Sequence, residues 1–226
     1  MKLPISYGRQ YISDGDIQAV VETLKSDYLT CGPKIPEFEQ AFCEYVHAKY
    51  SVAVCNATAA LHIAAMALGV KEGDNVICTP MTFASSANCI RFCGGNVRFV
   101  DIDPETYLLD INKLKEILST APKGTYKGMV LVDFAGYPHN MEEYRKVADE
   151  YGMWILEDAC HAPGAYFIDS TGERVYCGCG KYSDITVFSF HPVKHITTGE
   201  GGMACTQNKE SVSYTHLRAH ETRHDL

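Results

Sequence analysis

Positive charge is scarce in this chain. Its 20 lysines and arginines stand against 28 aspartates and glutamates, a formal net charge of −8 over 226 residues. A nucleic-acid binder needs a basic face to neutralise phosphates, so that role is not expected. The balance does not exclude a small anionic ligand, which one local pocket can bind. No apolar run is long enough to span a bilayer, so no membrane role is expected. The N-terminal stretch MKLPISYGRQYISDGD has no apolar core of the kind a secretory signal carries, which points to a cytoplasmic protein. The ten cysteines are scattered and read as reduced thiols filling core space. A zinc site from Cys160, His161, Cys177 and Cys179 fits no common ligand spacing, so no metal is expected. What is present is ordinary for a soluble globular protein: 46% hydrophobic and 21% charged residues, with length enough for a sizeable core.

The chain has a rhythm. Ser13-Asp14-Gly15-Asp16 reads as a capping box, followed by Ile17, Val20, Val21 and Leu24 on one helical face. After Gly32-Pro33, the residues Ile35, Phe38, Phe42, Tyr45 and Val46 repeat the helical spacing. Strands are then predicted over 51–55, 75–79, 97–101, 128–133, 153–157, 185–190 and 202–206. Helices are predicted between the first five, over 58–68, 83–92, 110–118 and 141–151. Alternation of this kind, with continuous Val/Ile/Leu runs, implies an α/β fold with a mostly parallel sheet covered on both faces. Ligands in such sheets sit at the carboxyl ends of the strands, where Asn56, Asp158 and His191 to Lys194 all fall.

Residues 211–226, SVSYTHLRAHETRHDL, break the rhythm. His216, His220 and His224 are four apart, and a helix would align them as a metal module might. The string resembles translated sequencing-adapter read-through, so the expected organisation is one natural segment over 1–210 and a non-native tail over 211–226.

The most informative run is Ser189-Phe190-His191-Pro192-Val193-Lys194-His195-Ile196-Thr197-Thr198-Gly199-Glu200-Gly201-Gly202. It puts one lysine past an apolar strand and before a small-residue turn. A lysine there can hold an aldehyde cofactor as a Schiff base, and the serine and backbone N–H groups can hold a phosphate. A solvated surface lysine is the plain alternative, but a surface loop does not need the whole string. Asp158 follows the strand Met153-Trp154-Ile155-Leu156-Glu157. An acid there can pair with a pyridine nitrogen, and beside a cation it stays ionised; a helix cap is the alternative. Glu157 reads as packing or supporting hydrogen bonding. In Val52-Ala53-Val54-Cys55-Asn56-Ala57-Thr58, a strand runs through a tight turn into a helix start, which is a ready anion site or an ordinary cap.

Together with Glu157-Asp158-Ala159-Cys160-His161-Ala162, this run resembles the DegT/DnrJ/EryC1/StrS family of sugar aminotransferases, over roughly residues 1–210. The resemblance implies the large domain of the fold type I transferases that depend on pyridoxal 5'-phosphate (PLP), ending before the small C-terminal domain. Lys194 then carries the cofactor and moves the proton of transamination, and Asp158 sets the ring's electronics. His161 falls at the position that hydrogen-bonds the cofactor's phenolic oxygen. Ala57, Thr58 and Ser189 match the phosphate-gripping positions. Phe83 matches the aromatic that stacks on the ring, although a core phenylalanine is the simpler reading. Tyr7, Asp27, Tyr28, Leu29 and Thr30 match the substrate-contacting region, as does Asp133 in Val132-Asp133-Phe134-Ala135-Gly136. The subgroup implied acts on a UDP-linked 4-keto-6-deoxy-N-acetyl hexose with glutamate as amino donor, toward pseudaminic acid, as a homodimer in the intact protein. Relatives acting on dTDP- or GDP-linked keto sugars are the nearest alternative, and a non-catalytic fragment is the alternative of another class. Related sugar dehydratases lack this lysine.

Overall fold

The capping box forms as spaced. Ser13 N–H donates to Asp16 Oδ2 at 2.7 Å and Asp16 N–H to Ser13 Oγ at 3.3 Å, opening α1 (Asp14–Lys25). A computed structural model describes residues 9–211. α2 (Lys34–Val46) follows, then β1 (Tyr50–Val54), α3 (Ala57–Ala67), β2 (Asn75–Cys78), α4 (Ser85–Phe92) and β3 (Asn96–Phe99). The chain continues through α5 (Ile111–Thr120), β4 (Tyr126–Val132), a 3-10 turn (Phe134–Gly136), α6 (Met141–Tyr151) and β5 (Trp154–Asp158). A hairpin of β6 (Tyr166–Ile168) and β7 (Arg174–Tyr176) precedes β8 (Ile185–Ser189) and β9 (Gly202–Thr206).

Seven strands form one sheet in the order β1-β9-β8-β5-β4-β2-β3. β9 runs antiparallel to both of its neighbours, and the other pairings are parallel. The mostly parallel sheet agrees with the predicted fold class. The hairpin leaves no signal in the sequence, because two three-residue strands carry no readable alternation. α4 starts two residues later than its apolar pattern predicts, which leaves Thr82 and Phe83 in the turn before it.

Alternation along the strands sorts the core. Val130, Leu156, Val187 and Ala204 face α3 and α4 through Leu61, Ala64 and Ile90. Met129, Leu131 and Ile155 face α5 and α6 through Leu114, Leu118 and Val147. On that same side, Phe42 of α2 meets Phe188 and Phe190 edge to face, at ring separations of 5.0 and 5.3 Å. α1 buries none of its residues among the described ones.

Two glycines fix the geometry. Gly128 lies under the Trp154 ring, where an added Cβ would come within 2.1 Å of the indole. Gly202 lies against the turn entering α3, where a Cβ would meet Asn56 C at 2.5 Å and Ala57 N at 2.6 Å. The start of β9 therefore supports the N-terminus of α3 directly.

Candidate active site

The carboxyl ends of β1, β4, β5 and β8 surround a cavity of about 400 Å³. Ala57, Thr58, Phe83, Asp158, His161, Ser189 and Lys194 all line it. These residues come from segments spread over more than half of the chain.

At one end is the N-terminus of α3. Asn56 Oδ1 caps Ala59 N–H at 2.9 Å, so Asn56 is the helix cap that its position allowed. The N–H groups of Ala57 and Thr58 have no acceptor among the described residues, which leaves them open toward the cavity. Thr58 Oγ1 shares a 2.7 Å hydrogen bond with Ser85 Oγ. Ser189 reaches the same wall from the end of β8.

Asp158 closes the floor. It is buried and ends β5, and no helix follows it, which removes the cap alternative. Ser86 Oγ donates to Asp158 Oδ2 at 2.5 Å, and Cys160 N–H donates to Oδ1 at 3.2 Å. Thr82 Oγ1 lies 2.6 Å from Ser86 Oγ and completes a hydroxyl relay from the cavity wall. Ser86 was not anticipated from the sequence. No local pattern singles it out, because α4 opens on Ser85-Ser86 and both serines are buried.

Lys194 sits in the loop between β8 and β9. Phe190 N–H donates to Gly201 O at 2.9 Å, and Thr198 N–H donates back to Phe190 O at 3.1 Å, tying the loop's base. Lys194 N–H donates to His191 O at 2.9 Å in the turn that presents the side chain. His191 and Glu200 line the rim with 4.0 Å between Nε2 and Oε1.

His161 is half-buried, and Ala135 N–H donates to its Nδ1 at 3.2 Å. Burial, helped by the charge of Lys194, holds its pKa below the ordinary histidine value. A neutral ring with Nδ1 as acceptor carries its proton on Nε2. Phe83 is 75% exposed, so it is not a core phenylalanine and its ring is free to pack on a ligand.

The remaining expected site residues lie elsewhere. Asp133 does not line the cavity: it is fully buried behind the end of β4 and bonded to His139. Its place in the strand's alternation turns it to the α5–α6 face. Asp27, Tyr28, Leu29 and Thr30 lie in the exposed connection between α1 and α2, off the cavity wall. Tyr7 and the histidines of 212–226 lie outside the described residues. Cys160, His161, Cys177 and Cys179 do not converge; Cys177 instead lies with Asp133 and Glu157.

A family profile described as the DegT/DnrJ/EryC1/StrS aminotransferase family matches residues 10–224. The chain belongs to this family. A UDP-4-amino-4,6-dideoxy-N-acetyl-beta-L-altrosamine transaminase from Campylobacter jejuni is 40% identical over 218 residues, covering 96% of this chain and 55% of that protein. The solved structure of Helicobacter pylori PseC, an aminotransferase of pseudaminic acid biosynthesis, superposes with a TM-score of 0.83 at 29% identity, covering 94% of this chain and 54% of that one. Spr1654 from Streptococcus pneumoniae, in its PMP form, gives a TM-score of 0.83 at 28% identity, covering 95% of this chain and 56% of that one. This family member spans about half the length of the curated relatives it matches. No helix among its described residues is long and apolar enough to cross a membrane.

Proposed function

We propose that this chain carries the cofactor-binding part of a PLP-dependent nucleotide-sugar aminotransferase. The observation that carries this is the convergence of Lys194, Asp158 and the open N–H groups of α3 on one cavity. The donor set fits the cofactor: an amine, a buried carboxylate on the floor and an anion-binding helix end. When bound, PLP supplies an aldehyde that takes up amino groups and a ring that takes up electrons.

The chain's own residues divide the work. Ala57 and Thr58 N–H groups and the Ser189 hydroxyl bind the phosphate. Asp158, held by Ser86 and Cys160, orients the ring nitrogen. His161 Nε2–H donates to the ring oxygen, and Phe83 covers the ring face. Lys194 Nζ would hold the aldehyde carbon until an incoming amine displaces it, and the freed amine would then carry a proton between two carbon atoms of the reacting pair.

The substrate proposed is a UDP-linked 4-keto-6-deoxy-N-acetyl hexose aminated at C4, with L-glutamate as donor, in pseudaminic acid or surface-glycan synthesis. The Campylobacter relative's name supports UDP over dTDP or GDP. A homodimer is the proposed assembly, supported by the uncovered apolar residues Ile17, Val20 and Leu24 of α1. The test is titration of residues 1–226 with PLP followed by visible absorption. A bound chromophore that vanishes in Lys194→Ala supports a competent site, and no chromophore overturns it. Turnover of the UDP-4-keto sugar with glutamate, compared with dTDP- and GDP-linked analogues, tests the substrate. Near-normal turnover by this chain would overturn the fragment alternative.

A further inference from the structure

A buried polar cluster lies behind the cavity, on the opposite face of the sheet from Asp158. Asp133, Glu157 and Cys177 are all buried there, with one polar atom of each within 4.8 Å of the others. Glu157 Oε2 accepts from Thr186 Oγ1 at 2.6 Å and from Ser183 Oγ at 2.9 Å. Asp133 Oδ1 accepts from His139 N–H at 3.0 Å and lies 2.9 Å from His139 Nδ1. Asp133 Oδ2 has no partner, although it is sealed from water. Among the described residues, no lysine or arginine pairs with either carboxyl. Two buried carboxylates this close, with no lysine or arginine against them and His139 bonded only to the other oxygen of Asp133, repel strongly, and one proton shared between them relieves both the repulsion and the unpaired oxygen.

We propose that Glu157 keeps its proton and donates it to Asp133 Oδ2, and that this bond positions the cavity wall in front of it. The wall is connected to the pair by short steps. Asp133 N–H donates to Asp158 O at 3.1 Å, so the residue is stitched to the cavity floor. Its Oδ1 closes the turn that ends at His139. Inside that turn Ala135 takes a left-handed conformation, φ 54°, and aims its N–H at His161 Nδ1. Gly136 packs so closely that a Cβ would come within 2.8 Å of His161 O. Asp133 and Glu157 are therefore positioning residues for His161, whose tautomer the turn selects. The role of that tautomer toward a bound ring rests on the proposed function; the shared proton does not.

The experiment uses the full chain without cofactor, so its failure is separate from failure of the aminotransferase reading. An infrared difference spectrum, parent minus Glu157→Gln at neutral pH, should show a protonated carboxyl stretch. Its absence overturns the proposal. Gln keeps a donor toward Asp133, so E157Q should melt within about 2 °C of the parent, while Glu157→Ala should fall by about 5 °C or more. Equal losses in the two variants would show that the charge of Glu157 is needed, and would overturn the shared proton. A stoichiometric metal in the purified parent would do the same. Nitrogen-15 spectra of His161 should report the Nε2–H tautomer in the parent and E157Q and a tautomer mixture in Asp133→Ala. An unchanged tautomer in D133A would overturn the positioning role.

Discussion

Ser86 Oγ donates to Asp158 Oδ2 at 2.5 Å, joining α4 to the end of β5 across 72 residues of sequence. The bond spends one of the carboxylate's oxygens on the protein and leaves its direction fixed. Hydrogen bonds to charged groups contribute about 1.5–3 kcal/mol. Ser86→Ala is expected to weaken cofactor binding by roughly ten- to a hundredfold, a range that follows from that energy. Absorbance titration checks this, and Ser86→Thr, which keeps the hydroxyl, should retain most of the affinity.

Gly202 supports the N-terminus of α3, the proposed phosphate-binding end. Adding a Cβ 2.5 Å from Asn56 C and 2.6 Å from Ala57 N forces the two backbones apart. Gly202→Ala should cost about 1–3 kcal/mol, the usual range for overpacking, and should lower phosphate affinity with it. Thermal melting and a titration with PLP would read both effects. A parent-like melt would mean the turn yields freely.

Glu142 of α6 ties down the turn of the β6–β7 hairpin. Glu142 pairs with Lys146 at 2.7 Å and accepts from Ser170 Oγ at 2.7 Å and Ser170 N–H at 2.8 Å. The Lys146 bond first, then the Ser170 bonds, lowers its pKa to about 2. A lowered carboxyl pKa contributes stability that is present above the ordinary value near 4.5 and is lost as pH falls through about 2. Glu142→Gln should flatten that acid limb of a stability–pH curve.

Glu157 gives the opposite slope. Burial first, then the charge of Asp133, pushes its pKa up to about 8, against the pull of Thr186 and Ser183. The folded state then binds more protons than the unfolded state between about 4.5 and 8, so stability falls as pH rises across that window. The titratable groups facing it are Asp133, Cys177, Cys179 and Cys205, with His139 beyond Asp133. Comparing the parent with Glu157→Gln from pH 5 to 9 isolates the slope; parallel curves would contradict it.

Burial also sorts the thiols. Cys78 is pushed up to about 12 by burial and the Asp158 charge, and burial raises Cys89, Cys177 and Cys205 as well. A thiol reagent at neutral pH should label the exposed Cys31 and Cys55 in the folded protein and leave these four untouched. Mass mapping after brief labelling reads the outcome.

Lys194 and Asp158 are legible in the sequence because Asp158 ends an apolar strand run and Lys194 lies just past one, in the loop that follows it. In a parallel sheet that grammar places a side chain at the ligand-binding edge. Asp133 obeys the same grammar and still misses the cavity. Its position in the strand's alternation turns it to the other face, and a one-residue difference in that period reverses a side chain. Phe83 shows the converse: its apolar side chain suggests core, yet it stands exposed at the cavity because α4 begins two residues after it.

By itself the sequence determined the order and type of most elements, the capping box at Ser13, the cap at Asn56 and the lysine loop. These depend on periodicity and on bonds between residues three or four apart. Tertiary structure alone decided that β9 enters the sheet antiparallel between β1 and β8, that Ser86 serves Asp158, and that Asp133 meets Glu157 behind the cavity. Those outcomes join residues that are distant in sequence. The packing of two sheet faces selects their contacts, and no local pattern encodes which distant partner each side chain will meet.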